Sequence, residues 1–548
     1  MSVNRKSAAQ LVTEAADMRK LIIEKMSVDG GHVGSPLAVI ELIQALVEVF
    51  DFPKDKIVFD GAHQMHAYKL LTDRAEAFAT MDHRGGIGEY ADIHESPYDF
   101  YIGGRIGISI SAALGYAVNH PEYKSIALLG DGSMTAGQPY EALNHAGALA
   151  SNLLVIYNDN DFAVTETVGY LHTHNTVREF SESLGFDYVG AVDGHDTQQL
   201  IELLDDIKQR KHPVFLHVKT VKGKGYEPAL RDPVTFHWLD PFDLETGALK
   251  KKPVNKFRDL ILKKAPELAE KHGEVYWVSP AAARSTGLKE LKKIYPDHVF
   301  DTGINEQHCV TFSAGLALNG NKVICFVPAT FFPRALDQIT DACMLRVPMV
   351  FVLPGSGISA QGQTLQGIYT LPILNAIPHA TLYHPSSLAD FDRLLDRALE
   401  HEHNGPVFLH KPGEDIEAGV TESGVVEVRD GGRLSVISIG NTLGKAVRLA
   451  DALGDVQVLH IQKVAPVDLD ALQRAMGDSS RMLILEDGFV RSGIGQHIVA
   501  SLLHKPMRYE ILGIRDRFPG IGTLDEVFED IGFDDAAVLA AAQQLMNA

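Results

Sequence analysis

The stretch LLGDGSMTAGQPYEALNHAGALASNLLVIYNDN, residues 128–160, decides the fold of this 548-residue chain. Residues 125–129 form a short apolar run that stops at Gly130, as a buried parallel strand does. Residues 141–150 read as a crossover helix and 153–157 as the next strand. That order makes a βαβ unit. Asp131 then stands at the carboxyl end of one strand and Asn160 at the carboxyl end of the next. Ligands of open α/β sheets bind at that edge. A carboxylate and an amide oxygen there suit a hard cation such as Mg²⁺, with diphosphate oxygens as its other ligands. Gly130 and Gly132 are expected to let backbone approach the anion closely. An isolated Gly-Asp-Gly is more often only a turn. The spacing and the Asn-Asp-Asn end favour a metal-bound diphosphate.

Outward from this unit the same alternation continues. Strand-like runs at 214–218, 322–327, 349–353, 434–439, 456–461 and 482–486 alternate with amphipathic helical runs. The pattern predicts α/β architecture: three doubly wound domains with mostly parallel sheets. Polar stretches at 227–255 and 413–432 read as linkers, which places the domains at 1–240, 256–414 and 432–548. Hydrophobic content of 45% and charged content of 22% are ordinary for a globular protein. A net charge of −21 argues against a nucleic-acid surface, which needs a basic footprint. Cys309, Cys325 and Cys343 are too few for a disulfide framework, so a reducing cytoplasm is expected. No apolar run approaches the ~18 residues of a membrane span.

Several other positions are candidates. His32 lies in a glycine-flanked segment before the helical pattern at 37–50, and His63 follows the strand-like run 57–59. A lone histidine is usually a structural hydrogen-bonder. Two at such junctions shift the balance toward a site. Lys219 opens a Lys/Gly-rich loop after strand 214–218 that is either a solvated basic loop or an anion-binding one; His237 follows. Glu306 precedes the helical run 309–318, where a carboxylate can simply complement the helix dipole. Phe331 and Arg334 offer an aromatic face and a cation.

The GDG…NDN pattern resembles the thiamine diphosphate motif of the transketolase superfamily. That resemblance implies metal ligands at Asp131, Asn160 and the backbone carbonyl of Phe162. With GHVGS, DYVGAVDGHD, PVFLHVKTVKGKGYEPA, DPVTFHW, NEQHCVTFSAGLAL and ATFFPRALDQ, nearly the whole chain resembles the 1-deoxy-D-xylulose-5-phosphate synthase family. The resemblance implies a homodimer of three α/β domains, with the cofactor between the first and second. It places His32, His63 and His237 at the reaction centre and Lys219 near the diphosphate. Glu306 becomes the aminopyrimidine carboxyl, Phe331 stacks on that ring, and Arg334 lies in the substrate pocket. His308 joins His32 and His63 as a candidate proton carrier.

The chain also departs from that family. Arg105 stands where the family has an active-site histidine, and apolar residues or Gly replace several hydroxyls nearby. Residues 354–367 have Gln361 for an aspartate, Leu365 for a histidine and Gly355 for an arginine. Gly413 replaces a second arginine. In the family those two arginines hold the phosphate of glyceraldehyde 3-phosphate. Arg105, Arg334, Lys411 and His410 are the candidates for holding an anionic group here. The segment 167–190 is shorter than the family's. The expected activity is therefore a thiamine diphosphate- and Mg²⁺-dependent carboligase. It would decarboxylate pyruvate or a related 2-keto acid and add the two-carbon unit to a changed aldehyde acceptor. The alternatives are transketolase-type ketol transfer from a ketose and a catalytically silent cofactor-binding homologue.

Overall fold

The computed structural model describes residues 5–251, 254–282, 286–400, 403–502 and 506–547. They form two compact units, Met1–Val254 with Gly303–Asn305, and Asn255–Thr302 with Glu306–Ala548.

The first unit is built on one five-stranded sheet. Its strands are β1 (Lys56–Phe59), β2 (Ser125–Gly130), β3 (Leu153–Asp159), β4 (Asp187–Asp193) and β5 (Val214–Lys219). They run in the order β1-β2-β3-β5-β4, all parallel. Every residue of β3 is buried. Alternate side chains feed two separate cores: Leu154 and Ile156 enter one, Leu153, Val155 and Tyr157 the other. Both faces of the sheet are therefore covered, which explains why these strands read as continuous apolar runs. The crossover helix spans Gly137–Leu149, longer at its start than the sequence pattern indicated.

The second unit holds two sheets. One contains β6 (Val275–Ser279), β7 (Val299–Asp301), β8 (Lys322–Phe326), β9 (Val350–Leu353), β10 (Thr381–Tyr383) and β11 (Val407–His410). The other contains β12 (Val425–Arg429), β13 (Leu434–Ile439), β14 (Val456–Ile461), β16 (Arg481–Phe489) and β17 (Arg508–Ile514). Both are parallel apart from one edge pairing each. The short β15 (Lys463–Ala465) crosses over to pair antiparallel with β10, and β12 pairs antiparallel with β14. A single core runs through both sheets, with Cys325, Phe351 and Phe408 of one and Ile437, Leu459 and Ile484 of the other. Shared apolar burial of this kind joins the two sheets into one unit.

Neither polar stretch is a bare tether. Residues 227–255 form a helix, Glu227–Arg231, and a turn, Thr235–His237. Phe236, Leu239 and Phe242 are buried in a core of the first unit. Three spaced apolar residues suffice to anchor a segment whose average composition is polar. Residues 252–253 lie outside the described residues. Likewise, 413–432 includes strand β12, whose alternating VVEVR gives the third sheet its edge.

Candidate active site

The carboxyl ends of β2 and β3 are neighbours, with Leu129 beside Tyr157 and Gly130 beside Asn158 in the ladder. Asp131 and Asn160 therefore leave adjacent strands, as the sequence spacing indicated. Asp131 is 1% exposed. Neither of its carboxylate oxygens has a hydrogen-bond partner among the described residues, although the Thr167 hydroxyl and His172 adjoin it. Burial, the largest influence, pushes its carboxyl above the usual carboxylate range. A buried, unpaired carboxylate is costly unless a cation joins it. Asn160 is buried, and its side-chain oxygen accepts from the Phe162 N–H at 3.3 Å. Gly132 is also needed for packing. A Cβ there would meet the Ala163 Cβ at 2.5 Å, so its bareness lets the loop after β3 close onto the loop after β2. At Gly130 the nearest such contact is an ordinary 3.5 Å, to Gln64.

His32, His63 and His237 come together. Their ring centroids are 5.2 Å apart for His32 to His63, 5.2 Å for His32 to His237, and 5.6 Å for His63 to His237. A two-way backbone bridge between Gly31 and Leu239 brings their two segments side by side. Glu89 holds the cluster from behind. Its Oε1 lies 2.8 Å from His32 Nδ1 and 3.5 Å from His66 Nε2. Burial opposes the Glu89 charge, yet the two histidines keep its carboxyl below the usual range. Desolvation, then the nearby His32 and Lys222, push His63 down to about 3.

The lysine that enters this cluster is Lys222. It is buried, donates to the Ala163 carbonyl at 2.7 Å, lies 3.3 Å from His237 Nδ1 and sits over the Phe162 ring. Lys219 is half-exposed and pairs with Asp159 at 2.5 Å. Arg105 is partly buried, and its carbonyl accepts from the Gly61 N–H. Asp60 pins the same segment by accepting from the Gly107 and Ser109 N–H groups.

In the first unit, residues Gly303–Asn305 dock on Thr135: the Ile304 N–H donates to its hydroxyl at 2.8 Å, and the Asn305 amide donates to its carbonyl at 3.1 Å. In the second unit, Glu306 is 1% exposed at the start of helix Glu306–Leu318. Arg334 donates to its Oε2 at 3.1 Å and lies 5.8 Å from the Phe331 ring centre. The guanidinium thus neutralises Glu306. His308 is exposed and leans on Phe312.

Residues 356–358 and 413–414 are tied together around Asp487 and Asn441. This buried carboxylate accepts from the N–H of Ile358, the N–H of Asn441 and the side-chain amide of Asn441. Asn441 also donates to the Ser356 carbonyl and accepts from the Gly413 N–H at 2.8 Å. A Cβ at Gly413 would lie 2.8 Å from the Asn441 side-chain oxygen, so Asn441 stands where a longer side chain would start. Glu414 accepts from the N–H groups of Leu443 and Gly444. His410 is 1% exposed and packed edge-on against His384, and burial drives its pKa well below the usual value. A neutral, enclosed imidazole does not serve as a cation for an anionic group. Lys411, partly buried over Phe257, is the charged member of that pair.

Sequence reading did not single out Glu89, Asp159, His172, Lys222, Asn441 or Asp487. Lys222 and Asp159 lie inside the quoted motifs, so their signal was present. Glu89 and Asn441 have no local signature.

Three family models match the chain. They are 1-deoxy-D-xylulose-5-phosphate synthase over 2–179 and 174–220, the transketolase pyrimidine binding domain over 256–416, and the transketolase C-terminal domain over 423–538. Among curated relatives, the 1-deoxy-D-xylulose-5-phosphate synthase of Desulfotalea psychrophila is 33% identical, covering 98% of this chain and 94% of the relative. That of Alkalilimnicola ehrlichii is 32% identical over 98% and 94%. A transketolase structure from Campylobacter jejuni matches at a TM-score of 0.45 and 18% identity, over 98% of this chain and all of that one. The sheets and domain families define a transketolase-type transferase. More narrowly, the chain belongs to the 1-deoxy-D-xylulose-5-phosphate synthase family. None of its described helices is long and apolar enough to cross a membrane.

Proposed function

We propose that this protein is a thiamine diphosphate- and Mg²⁺-dependent carboligase. It takes its two-carbon unit from pyruvate or a related 2-keto acid and adds it to an aldehyde recognised differently from glyceraldehyde 3-phosphate. The observation that carries the reading is the buried Asp131 carboxylate, which among the described residues has no lysine or arginine against it and no protein hydrogen bond of good geometry, at the end of one of two adjacent parallel strands. Asp131, Asn160 and the Phe162 carbonyl would hold the metal. Gly130, Gly132 and Lys219 would flank the diphosphate, and Glu306 and Phe331 the aminopyrimidine. We assign these roles to residues 1–240 and 256–414, with 432–548 as the third domain. When bound, the cofactor supplies an electron sink for cleaving and forming bonds beside a carbonyl.

The chain's own groups supply proton control and orientation. Glu306 would exchange a proton with the aminopyrimidine, and Arg334 holds its carboxyl in place through the 3.1 Å contact to Oε2. His32, fixed by Glu89, packs its ring beside those of His63 and His237. The low pKa of His63 keeps its ring neutral, a hydrogen-bond partner to the substrate and not a base. His308 is the corresponding candidate in the second unit. Arg105, Arg334 and Lys411 remain the candidate contacts for anionic substrate groups. The changed acceptor is supported by Asn441 and Asp487, which occupy the surroundings of Gly413 with an amide and a carboxylate. Three buried free cysteines accord with a cytoplasmic enzyme, and we take a homodimer as the working assembly.

Steady-state assays with pyruvate, thiamine diphosphate, Mg²⁺ and a panel of aldehydes test this. CO₂ release with an acceptor preferred over glyceraldehyde 3-phosphate is expected. Efficient turnover of glyceraldehyde 3-phosphate would overturn the acceptor reading. Ketose cleavage without CO₂ would overturn the donor, and inactivity with every pair would favour a silent homologue.

A further inference from the structure

Residues 193–196, DGHD, lie beside residues 219–226, KTVKGKGY, because Asp193 pairs with Lys219 at the ends of β4 and β5. Each residue of DGHD has its own contact. Asp193 accepts from the His195 N–H at 2.9 Å. Gly194 donates its N–H to the Lys219 carbonyl at 2.8 Å, and a Cβ there would meet the Thr220 Cγ2 at 2.5 Å. Asp196 caps helix Thr197–Gln209 by accepting from the Gln199 N–H. The His195 ring meets the neighbouring loop: its Nε2 lies 2.9 Å from the Val221 nitrogen.

A backbone N–H can only donate, so Nε2 is the acceptor and the ring proton sits on Nδ1. Nδ1 is 3.2 Å from Glu41 Oε2. The other Glu41 oxygen accepts from Arg19 at 2.7 Å, and Arg19 Nε donates to the Lys224 carbonyl at 2.9 Å. All three side chains are largely buried. Burial opposes the Glu41 charge, yet His195 and Arg19 hold its carboxyl down to about 2. The bonds from Val221 through His195, Glu41 and Arg19 to Lys224 thus grip the loop on both sides of Lys222. Between them, the Gly223 N–H donates at 2.8 Å to the Gly34 carbonyl, two residues beyond His32. A Cβ at Gly225 would meet Arg19 Cδ at 2.3 Å, so that glycine makes room for the guanidinium side chain. Glycines on either side of Lys224 give the loop more conformational freedom to lose, which is why it needs these grips.

We infer that His195, oriented by Glu41 and Arg19, is a positioning residue that holds residues 221–224 so that Lys222 reaches His237 and the Ala163 carbonyl. The inference rests on the reading of the histidine cluster as the reaction centre. Lys222 touches that cluster, whereas His195 acts on it only through the loop.

Hydrogen exchange of the full-length protein, read by mass spectrometry over residues 219–226, tests the grip directly. His195→Phe keeps a ring but removes both its hydrogen bonds, and should speed exchange there at least tenfold. His195→Gln retains an acceptor and a donor and should restore most of the protection. Arg19→Lys, a milder change at the far end of the same bonds, should raise exchange about threefold. In pyruvate turnover with saturating thiamine diphosphate and Mg²⁺, His195→Phe should lower kcat at least tenfold, with KM for pyruvate changed less than threefold, and His195→Gln should recover most of the loss. Residues that act through one another are not additive, so in a Lys222→Met background His195→Phe should lower kcat less than twofold further. Unchanged exchange in both His195→Phe and Arg19→Lys, or a full tenfold loss on top of Lys222→Met, overturns the proposal. A wild-type protein that turns over no pyruvate would instead overturn the functional reading, and the exchange rates would still decide whether His195 holds the loop.

Discussion

Two buried aspartates, Asp131 in the first unit and Asp487 in the second, occupy similar positions and are treated in opposite ways. Asp131 follows a parallel strand and Asp487 lies near the end of one, and each is nearly inaccessible. Asp487 receives three N–H donors from two other loops. Asp131 has the Thr167 hydroxyl, the Gly132 N–H and His172 beside it, none of them in good hydrogen-bond geometry. A satisfied buried carboxylate locks loops together, whereas an unsatisfied one costs stability and waits for a cation. The first region keeps the family's motif and stays chemically open. The second has closed on itself through Asn441 and Asp487.

The largest expected effect is at Asp131. Asp131→Asn keeps the shape and removes the charge. Calorimetry should show metal-dependent thiamine diphosphate binding weakened by at least about 100-fold, roughly 3 kcal/mol. The ligand-free protein should lose no thermal stability, because an unpaired buried charge has gone. Retained cofactor affinity would erase the contrast.

Asp487→Ala should do the reverse. It strands three donors and should destabilise the second unit by about 3–5 kcal/mol, read by thermal or denaturant unfolding. Metal binding at Asp131 should be unchanged. An unaltered unfolding profile would show that the network does not bind its loops.

Acidification should affect both regions alike. Burial, the leading cause at each, pushes His66 of the first unit down to about 4. In the second unit it pushes His384 to about 3 and His460 to about 4. Unfolded histidines titrate near 6.5, so below that pH the unfolded chain binds more protons. The stability is fully present above pH 6.5 and falls as pH drops toward the folded values. Each histidine should withdraw about 2 kcal/mol by pH 5. A melting temperature that stays flat from pH 7 to 5 would contradict the neutral buried rings.

The smallest effect concerns selectivity. Combining Asn441→Ala with Gly413→Arg removes the adjoining amide and supplies one guanidinium. The kcat/KM ratio for phosphorylated over non-phosphorylated aldehydes should rise about tenfold, as one charged hydrogen bond of ~1.5 kcal/mol implies. An unchanged ratio would detach this network from acceptor choice.

Much of the first sheet was legible in the chain. The apolar runs ending at Gly130 and at the Asn-Asp-Asn segment became neighbouring strands, because buried parallel strands carry a continuous apolar signature. The polar stretches misled, since Phe236, Leu239 and Phe242 anchor one and β12 runs through the other. Average polarity hides a few well-placed apolar side chains. Lys222 was overshadowed by Lys219, three residues earlier in the same motif, because periodicity does not tell which lysine of a loop turns inward.

By itself, the sequence determined the α/β alternation, the strand ends that carry Asp131 and Asn160, and the helix that begins at Glu306. These follow from local apolar periods and from where they stop. Tertiary structure alone decided that His32, His63 and His237 converge in front of Glu89, that His172 returns to Asp131, and that Asn441 and Asp487 close the loops around Gly413. Those contacts join residues dozens of positions apart, so they depend on how the sheets and loops pack and leave no periodic trace in the chain.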